Sequence, residues 1–407
     1  MNDVYAIQFP GVYTEEEQSA LEQCRQQFEK LPRGAVLQTR QAKETDLIRM
    51  GKVRAPFQPL YWDPTYGART RWRGMVSFPA LLEPWFYFPQ LPRSFGSRAF
   101  QANYGGELFY YRPVRPGDKL TVVKERQRLW DATPEDGSMV RQFRLEGETL
   151  QYNQNGELVC RSKTKGGNGF LQLQDKTASS GPMEETEWRK KVPSAPVMSE
   201  KDWERIYSLW EGEEQAAQTP GWSGVEVGSE LVPVCSGPVT VVELIRQHGI
   251  DVVEQPSFQE RRSQFRDLPK NGFGMFADPS DKHFDAQGYP QGRAVFFSTT
   301  ARNYILRMLT RFMGDAGALQ RIRWYNNSFF PELWRPGLGA EAMARVPGME
   351  GRFCEESGYA GDTCVCRGVV TKKYENDDAH CVDLTCWAER LSGEIIQVVE
   401  ATILFPE

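Results

Sequence analysis

No run in these 407 residues approaches the ~20 consecutive apolar positions that a membrane-spanning helix needs, so a membrane is not an expected partner. The opening residues, MNDVYAIQFPGVYTEEE, lack both the basic n-region and the apolar stretch of a secretion signal, and a cytoplasmic location is the expectation. Positive charge is not in excess. The net charge is −5, and no basic stripe with interleaved aromatics argues for nucleic acid. The eight cysteines, at 24, 160, 235, 354, 364, 366, 381 and 386, include no CxxC pair, so a zinc site is not indicated. They read as free buried thiols, which suits a reducing compartment. Histidine is scarce, with only His248, His283 and His380.

What is present is an ordinary globular composition, 40% hydrophobic and 25% charged, long enough for two to three domains. Thr14-Glu15-Glu16-Glu17 has capping-box spacing, and Leu21, Cys24, Phe28 and Leu31 fall on one helical face before Pro32-Arg33-Gly34 stops the helix. Ser199 through Asp202 starts another, with Trp203, Ile206 and Trp210 on its inner side. Between them, the segment around 175–198 is polar and punctuated by Gly and Pro. The expected organisation is a first unit over 1–175, a linker over 176–198 and a second unit over 199–407.

The halves repeat each other. The first has Asp46-Leu47, Pro59-Leu60-Tyr61-Trp62-Asp63, Pro116-Gly117-Asp118-Lys119 and Asn155-Gly156-Glu157-Leu158. The second has, in the same order, Asp267-Leu268, Asp281-Lys282-His283-Phe284-Asp285, Ala360-Gly361-Asp362-Thr363 and Ser392-Gly393-Glu394-Ile395. Strand-like alternation follows in each half, over 120–123, 141–150 and 157–163, then over 363–372, 380–389 and 394–404. The Gly-Glu turns at 156–157 and 393–394 join the last two strands as hairpins. Ahead of the strands, Ser298 can cap a long helix with Tyr304, Ile305, Met308, Leu309, Phe312 and Met313 on its buried stripe and Gly314 at its end. The first-half counterpart, 78–88, is aromatic and broken by prolines. One helix followed by an antiparallel sheet, twice over, is an α+β plan in which each sheet wraps its helix.

That plan, together with Asp278-Pro279-Ser280-Asp281-Lys282-His283-Phe284-Asp285, resembles the two-domain MaoC-like acyl dehydratases and type-2 (R)-specific enoyl-CoA hydratases. Their motif is an Asp, a His five residues on and an acid two beyond, a spacing that Asp278, His283 and Asp285 keep. Val227–Leu231 and Gly237-Pro238-Val239-Thr240 look like the first strand and turn of the same unit. Pro59–Tyr66 and Arg112–Asp118 resemble the chemically silent first half of such proteins. The resemblance implies a tandem (double) hotdog fold with Asp278 and His283 as the catalytic pair. It also implies substrate contacts from Ser280, Asp285 and the helix entrance at Phe297 and Ser298. Around the motif, Ala277, Ser280 and Asp281 stand where the family usually has Gly, Asn and Pro, and Phe297-Ser298 replaces a His-Gly.

A neutral imidazole and a carboxylate can share one water and move its proton, which is what adding water to an enoyl thioester requires. In the first half, Tyr61 stands in place of the His and Pro56 in place of the Asp, and neither can do this work near neutral pH. The aromatic run containing Trp85 and Phe86 is a candidate acyl-pocket wall or an ordinary core. Arg293, Arg302, Arg307 and Arg311 can meet carrier phosphates or form a solvated face. The implied activity is hydration or dehydration of enoyl- or (3R)-hydroxyacyl-thioesters in lipid metabolism, with CoA or an acyl carrier as part of the substrate and no other cofactor or metal. The alternatives are a hotdog thioesterase, which wants an acid in the helix that 298–314 lacks, and a catalytically degenerate acyl-thioester-binding subunit. A duplicated chain makes a hotdog pair internally, as a monomer or as a homodimer of such pseudo-dimeric chains, and the sequence leaves both open.

Overall fold

The computed structural model describes residues 5–8, 15–82, 100–131, 140–171, 194–216, 221–253, 294, 296, 298–326, 337–376 and 379–406. In the first part, β1 (Tyr5–Gln8), α1 (Glu15–Lys30), β2 (Val36–Gln41) and α2 (Glu44–Arg54) lead to α3 (Pro64–Gly67). A four-strand run follows: β3 (Phe100–Tyr110), β4 (Lys119–Asp131), β5 (Val140–Tyr152) and β6 (Leu158–Leu171). The second part has α4 (Glu200–Gln215), β7 (Val234–Ser236), α5 (Val241–Val253), α6 (Ser298–Met313), β8 (Ala318–Asn326) and α7 (Ala340–Met343). It closes with β9 (Cys364–Asn376), β10 (Ala379–Arg390) and β11 (Ile395–Phe405).

These strands form one sheet in the order β1-β4-β5-β6-β3-β8-β11-β10-β9-β7, with β2 also on β4. The two copies have the same internal order. In the first, β3 lies beside β6, then β5, β4 and β2; in the second, β8 lies beside β11, then β10, β9 and β7. The copies meet where β3 and β8 pair antiparallel, from Gly105 opposite Tyr325 to Phe109 opposite Arg321.

The repeat extends to single hydrogen bonds. Gly117 (φ 90°) and Gly361 (φ 93°) hold matching left-handed turns that an L side chain would strain. Asp118 accepts from the Arg115 N–H at 2.8 Å, and Asp362 accepts from the Tyr359 N–H at 2.9 Å. In both copies the turn clasps the start of the preceding helix: Gly117 N–H donates to the Ala42 carbonyl, and Gly361 N–H to that of Val239. The β5–β6 and β10–β11 hairpins likewise close through Gly156 (φ 74°) and Gly393 (φ 103°).

This register corrects one sequence landmark. Since Ala42 matches Val239, α2 matches α5 and Asp46 corresponds to Glu243, not Asp267, which lies outside the described residues. Counted from that anchor, the stretch leading to His283 is 25 residues longer than the stretch leading to Tyr61. The first strand of the second copy is also displaced. It is 234–236, while 227–231 contributes a bridge from Glu230 to Val369.

α4 begins as expected, with a capping box between Ser199 and Asp202, and buries Ile206; Trp210 stays partly exposed and donates to the Cys235 carbonyl at 3.1 Å. The main core runs through both copies, from Leu47, Met50, Leu108 and Leu120 to Ile305, Leu309, Ile322 and Ile403. The seven cysteines whose side chains are described, from Cys160 to Cys386, are buried and none is in a disulfide, as their scattered spacing suggested. No helix among the described residues is long and apolar enough to cross a membrane.

Candidate functional site

Asp278, Ser280, His283, Asp285 and Phe297, with the pocket candidates Trp85 and Phe86, lie outside the described residues. Ser298 opens α6. What the structure describes is the frame into which the 254–293 stretch runs.

That frame is tight. Phe296 N–H donates to the Gly358 carbonyl at 2.8 Å, and Ala360 N–H donates to the Ala294 carbonyl at 2.7 Å. A Cβ on Gly358 would lie 2.3 Å from the Phe296 ring, so a glycine is required for this approach. The chain therefore enters α6 pinned to the turn that carries Asp362. At that entrance the first N–H groups of the helix lack intrahelical partners, which favours a partial negative charge there.

α6 has two unlike faces. Arg302 stacks over Trp324 at 4.3 Å, Phe312 packs edge-on to Phe405 at 6.2 Å, and Met308 reaches Gly368; these residues face the sheet. On the other side are Thr300, Asn303, Arg307 and Thr310, spaced three and four apart. The sequence marked only an apolar stripe, yet Thr300, Asn303 and Thr310 are as buried as Ile305 and Leu309. Neither end of the Asn303 amide has a hydrogen-bond partner among the described residues.

The arginines on this helix are held internally. Arg307 binds Glu213 of α4 at 2.6 Å, and both Arg307 and Arg311 lie 5.6 Å from the Phe57 ring. Arg311 also donates to the Ala216 carbonyl at 3.3 Å. Arg293 is outside the described residues. Glu213 is buried, and desolvation raises its carboxyl above the usual range despite the attraction of Arg307. Nothing local in the sequence points to this pair, because its partners are 94 residues apart.

Tyr61 is the first-copy residue that the sequence landmarks set against His283, although counted from Ala42 and Val239 the two stand 19 and 44 residues on. Tyr61 is buried, edge-on to Phe78 at 5.7 Å, and its phenol is held far above its ordinary value by burial and by the nearby Asp315 carboxylate. Its backbone carbonyl lies where a Cβ on Gly51 would be, which fixes α2 against this turn. The segment beyond it caps the end of α6: Tyr66 donates to the Asp315 carboxylate at 2.6 Å and Trp72 to the Asp315 carbonyl at 2.9 Å. This turn is a closed structural contact. His380 stacks on Trp222 at 4.6 Å. Among the described residues no cluster of three or more His, Cys, Asp or Glu could hold a metal.

No family model matches the sequence, and no curated protein matches it. Solved structures do. A MaoC-like dehydratase shares 14% identity over 92% of this chain and 98% of its own, with a TM-score of 0.51. A MaoC-domain dehydratase from Chloroflexus aurantiacus is 14% identical over 93% and 97%, with a TM-score of 0.47. A Mycobacterium tuberculosis protein with a double hotdog fold is 11% identical over 93% and 97%, with a TM-score of 0.49. The chain has the α+β tandem hotdog fold, similar along nearly its whole length to a MaoC-like dehydratase.

Proposed function

We propose that the protein hydrates enoyl thioesters or dehydrates (3R)-hydroxyacyl thioesters, most simply of CoA, within acyl-chain metabolism of the cytoplasm. In this reading 1–175 is a binding half, 176–198 a linker, and 199–407 the half that carries the chemistry. Asp278 and His283 hold the reacting water. In hydration, that water loses a proton to the pair and forms a bond from its oxygen to the β-carbon. The electron pair of the double bond moves toward the thioester oxygen, and the pair returns a proton to the α-carbon. Backbone N–H groups at the entrance of α6 would stabilise the charge on the thioester oxygen, with Phe297 and Ser298 beside it. Ser280 and Asp285 would orient water and substrate.

The observation that carries this reading is the asymmetry of the repeat on a fold shared with a MaoC-like dehydratase. The second copy has an Asp–His motif 15 residues before the helix N-terminus, and the first has, at the landmark the sequence repeat sets against it, a buried tyrosine whose phenol is held far above its ordinary value. The test is loss of enoyl-thioester absorbance on hydration across short and bulky acyl groups. Wild type should be active, and Asp278→Asn and His283→Ala should each lose about 100- to 10,000-fold. Full activity in both variants refutes the assigned pair. Release of free thiol instead identifies a thioesterase, and thioester binding without turnover identifies a degenerate binding subunit.

A further inference from the structure

Residues 64–82 contain three arginines, Arg69, Arg71 and Arg73, and no acidic residue, in a chain whose net charge is −5. All three stand on one compact loop. Its neck is closed by the Gly74 N–H, which donates to the Gly67 carbonyl at 2.9 Å, and the Thr70 hydroxyl donates to the same carbonyl at 2.8 Å. Trp72 is half-buried, with its indole on the Asp315 carbonyl at 2.9 Å, and Arg115 holds the Trp72 carbonyl at 2.7 Å. The arginines of the loop are left outside. Arg69, Arg71 and Arg73 are exposed, and none has a carboxylate partner among the described residues. Arg71 lies over the Trp72 ring at 4.2 Å and donates to the Asp315 carbonyl at 3.3 Å. Arg73 has φ 51°, the one positive φ of a non-glycine residue among the described residues, and a conformation that glycine or asparagine takes more easily. Its side chain, not its backbone, accounts for an arginine there. Compact surface loops of this kind frequently carry function.

The acidic counterpart is the outer face of α4. Glu200, Glu204, Glu211 and Glu214 are exposed with no ion-pair partner among the described residues. At 3.6 residues per turn they fall within about 80° of one another, and Lys201 and Arg205 stand outside that arc. Tyr207, 53% exposed, lies within it and stacks against Trp203 at 5.8 Å. The opposite side of the helix holds the buried Ile206 and Glu213. Both patches flank the same end of α6. Arg311 donates to the Ala216 carbonyl just past α4 and lies 5.6 Å from the exposed Phe57 ring. Asp315, which receives the Trp72 indole, is about one helical turn further on.

We propose that the 67–74 loop and the outer face of α4 are the two halves of an interface between two copies of this chain. A two-fold axis beside the end of α6 brings the arginine loop of one copy onto the α4 stripe of the other. The second contact follows by symmetry, so the interface closes on itself. Charge complementarity fixes the occupant: neighbouring patches of opposite sign match their own image turned by 180°, whereas a polyanion that meets the loop is repelled by the stripe beside it. Arginine and tyrosine are also the anchors that such interfaces favour. Exposed ion pairs contribute little each and are screened by salt, so the dimer is of micromolar strength and salt-sensitive. The inference goes beyond the hydratase reading and does not rest on it.

The experiment is sedimentation velocity of the full chain at about 1–100 μM protein, at low and high salt. It compares wild type, Arg69→Glu/Arg73→Glu, Glu211→Lys/Glu214→Lys and an equimolar mixture of the two variants. Wild type should dimerise with a Kd on the order of 1–50 μM at low salt and more weakly at high salt. Each variant alone sets like charges against each other and should weaken the dimer about 10-fold or more. In the mixture both contacts again join opposite charges, and a dimer within about threefold of wild type should return. Arg73→Gly removes one charge and relieves the backbone, so association should weaken several-fold with an unfolding midpoint close to that of wild type. That variant separates a lost contact from a lost fold. A wild type that stays monomeric over the whole range, a dimer indifferent to both variants, or a mixture that stays monomeric overturns the interface. If monomeric wild type instead binds an oligoglutamate peptide or an oligothymidylate, and Arg69→Glu/Arg73→Glu does not, the loop serves a separate polyanion and the proposal falls.

Discussion

Replacing Lys124 by methionine should make the protein more stable, in a way that depends on pH. The lysine is 3% exposed on the inner face of β4, and methionine is an unbranched side chain that fills such a space. Burial brings the ammonium from its ordinary value of 10.5 to about 8. At about 1.4 kcal/mol per tenfold, keeping that charge inside at neutral pH costs about 3 kcal/mol. Below pH 8 the lysine is protonated in both folded and unfolded chains, and the penalty is fully present. Between about 8 and 10.5 the folded chain releases its proton first, the unfolded chain binds more protons, and wild-type stability rises. Above 10.5 both states are neutral. Urea unfolding at pH 7, 9 and 11 should therefore show Lys124→Met more stable by about 2–3 kcal/mol at pH 7, with the gap closing by pH 11. A variant less stable than wild type at pH 7, or a gap that ignores pH, refutes the claim that a costly charge is held there.

Glu213→Ala strands the partly buried Arg307 guanidinium against α6 and should destabilise the protein by about 3–5 kcal/mol in urea unfolding. The double variant Glu213→Leu/Arg307→Met should recover much of that loss; a single variant with wild-type stability would show the pair to be inert. Tyr61→Phe removes a phenol that keeps its proton throughout the accessible pH range, so hydration activity and its pH profile should be unchanged within about twofold. A shifted profile would assign the first copy a share of the chemistry.

β4, β5 and β6 in the first copy and β9, β10 and β11 in the second could be read directly from the sequence. Their alternation is regular, and each is bounded by a turn with a positive-φ glycine such as Gly117 or Gly393. β3 and β8 could not be read in this way. β8 places Arg321 and Arg323 at alternate positions, and the first pairs with Glu107 on β3 and the second with Glu400 on β11. β3 carries Gly105 and Gly106, where a Cβ would strike the Trp324 carbonyl and indole. Both strands look loop-like alone, and the reason for their residues lies in the other copy. The long helix was legible from its apolar stripe and Gly314, but its buried polar face was not, because away from the sheet it packs against α2, α5 and the 79–82 turn and pairs Arg307 with Glu213 of α4. The polar inner face of β4 and β5 was hidden for a related reason. In KLTVVKERQRL an inward Lys124 or Gln127 looks like one more solvent-facing residue.

The pairing of β3 with β8 has a consequence for how the two copies can differ. In a symmetric dimer of separate chains, every substitution appears twice, and a lysine useful in one interior must be tolerated in both. Here the partner is on the same chain and its effective concentration does not fall on dilution. A destabilising residue in one copy is carried by the stability of the whole sheet. The first interior could gain a buried lysine, buried glutamines and a tyrosine at the silent turn while the second kept an apolar core.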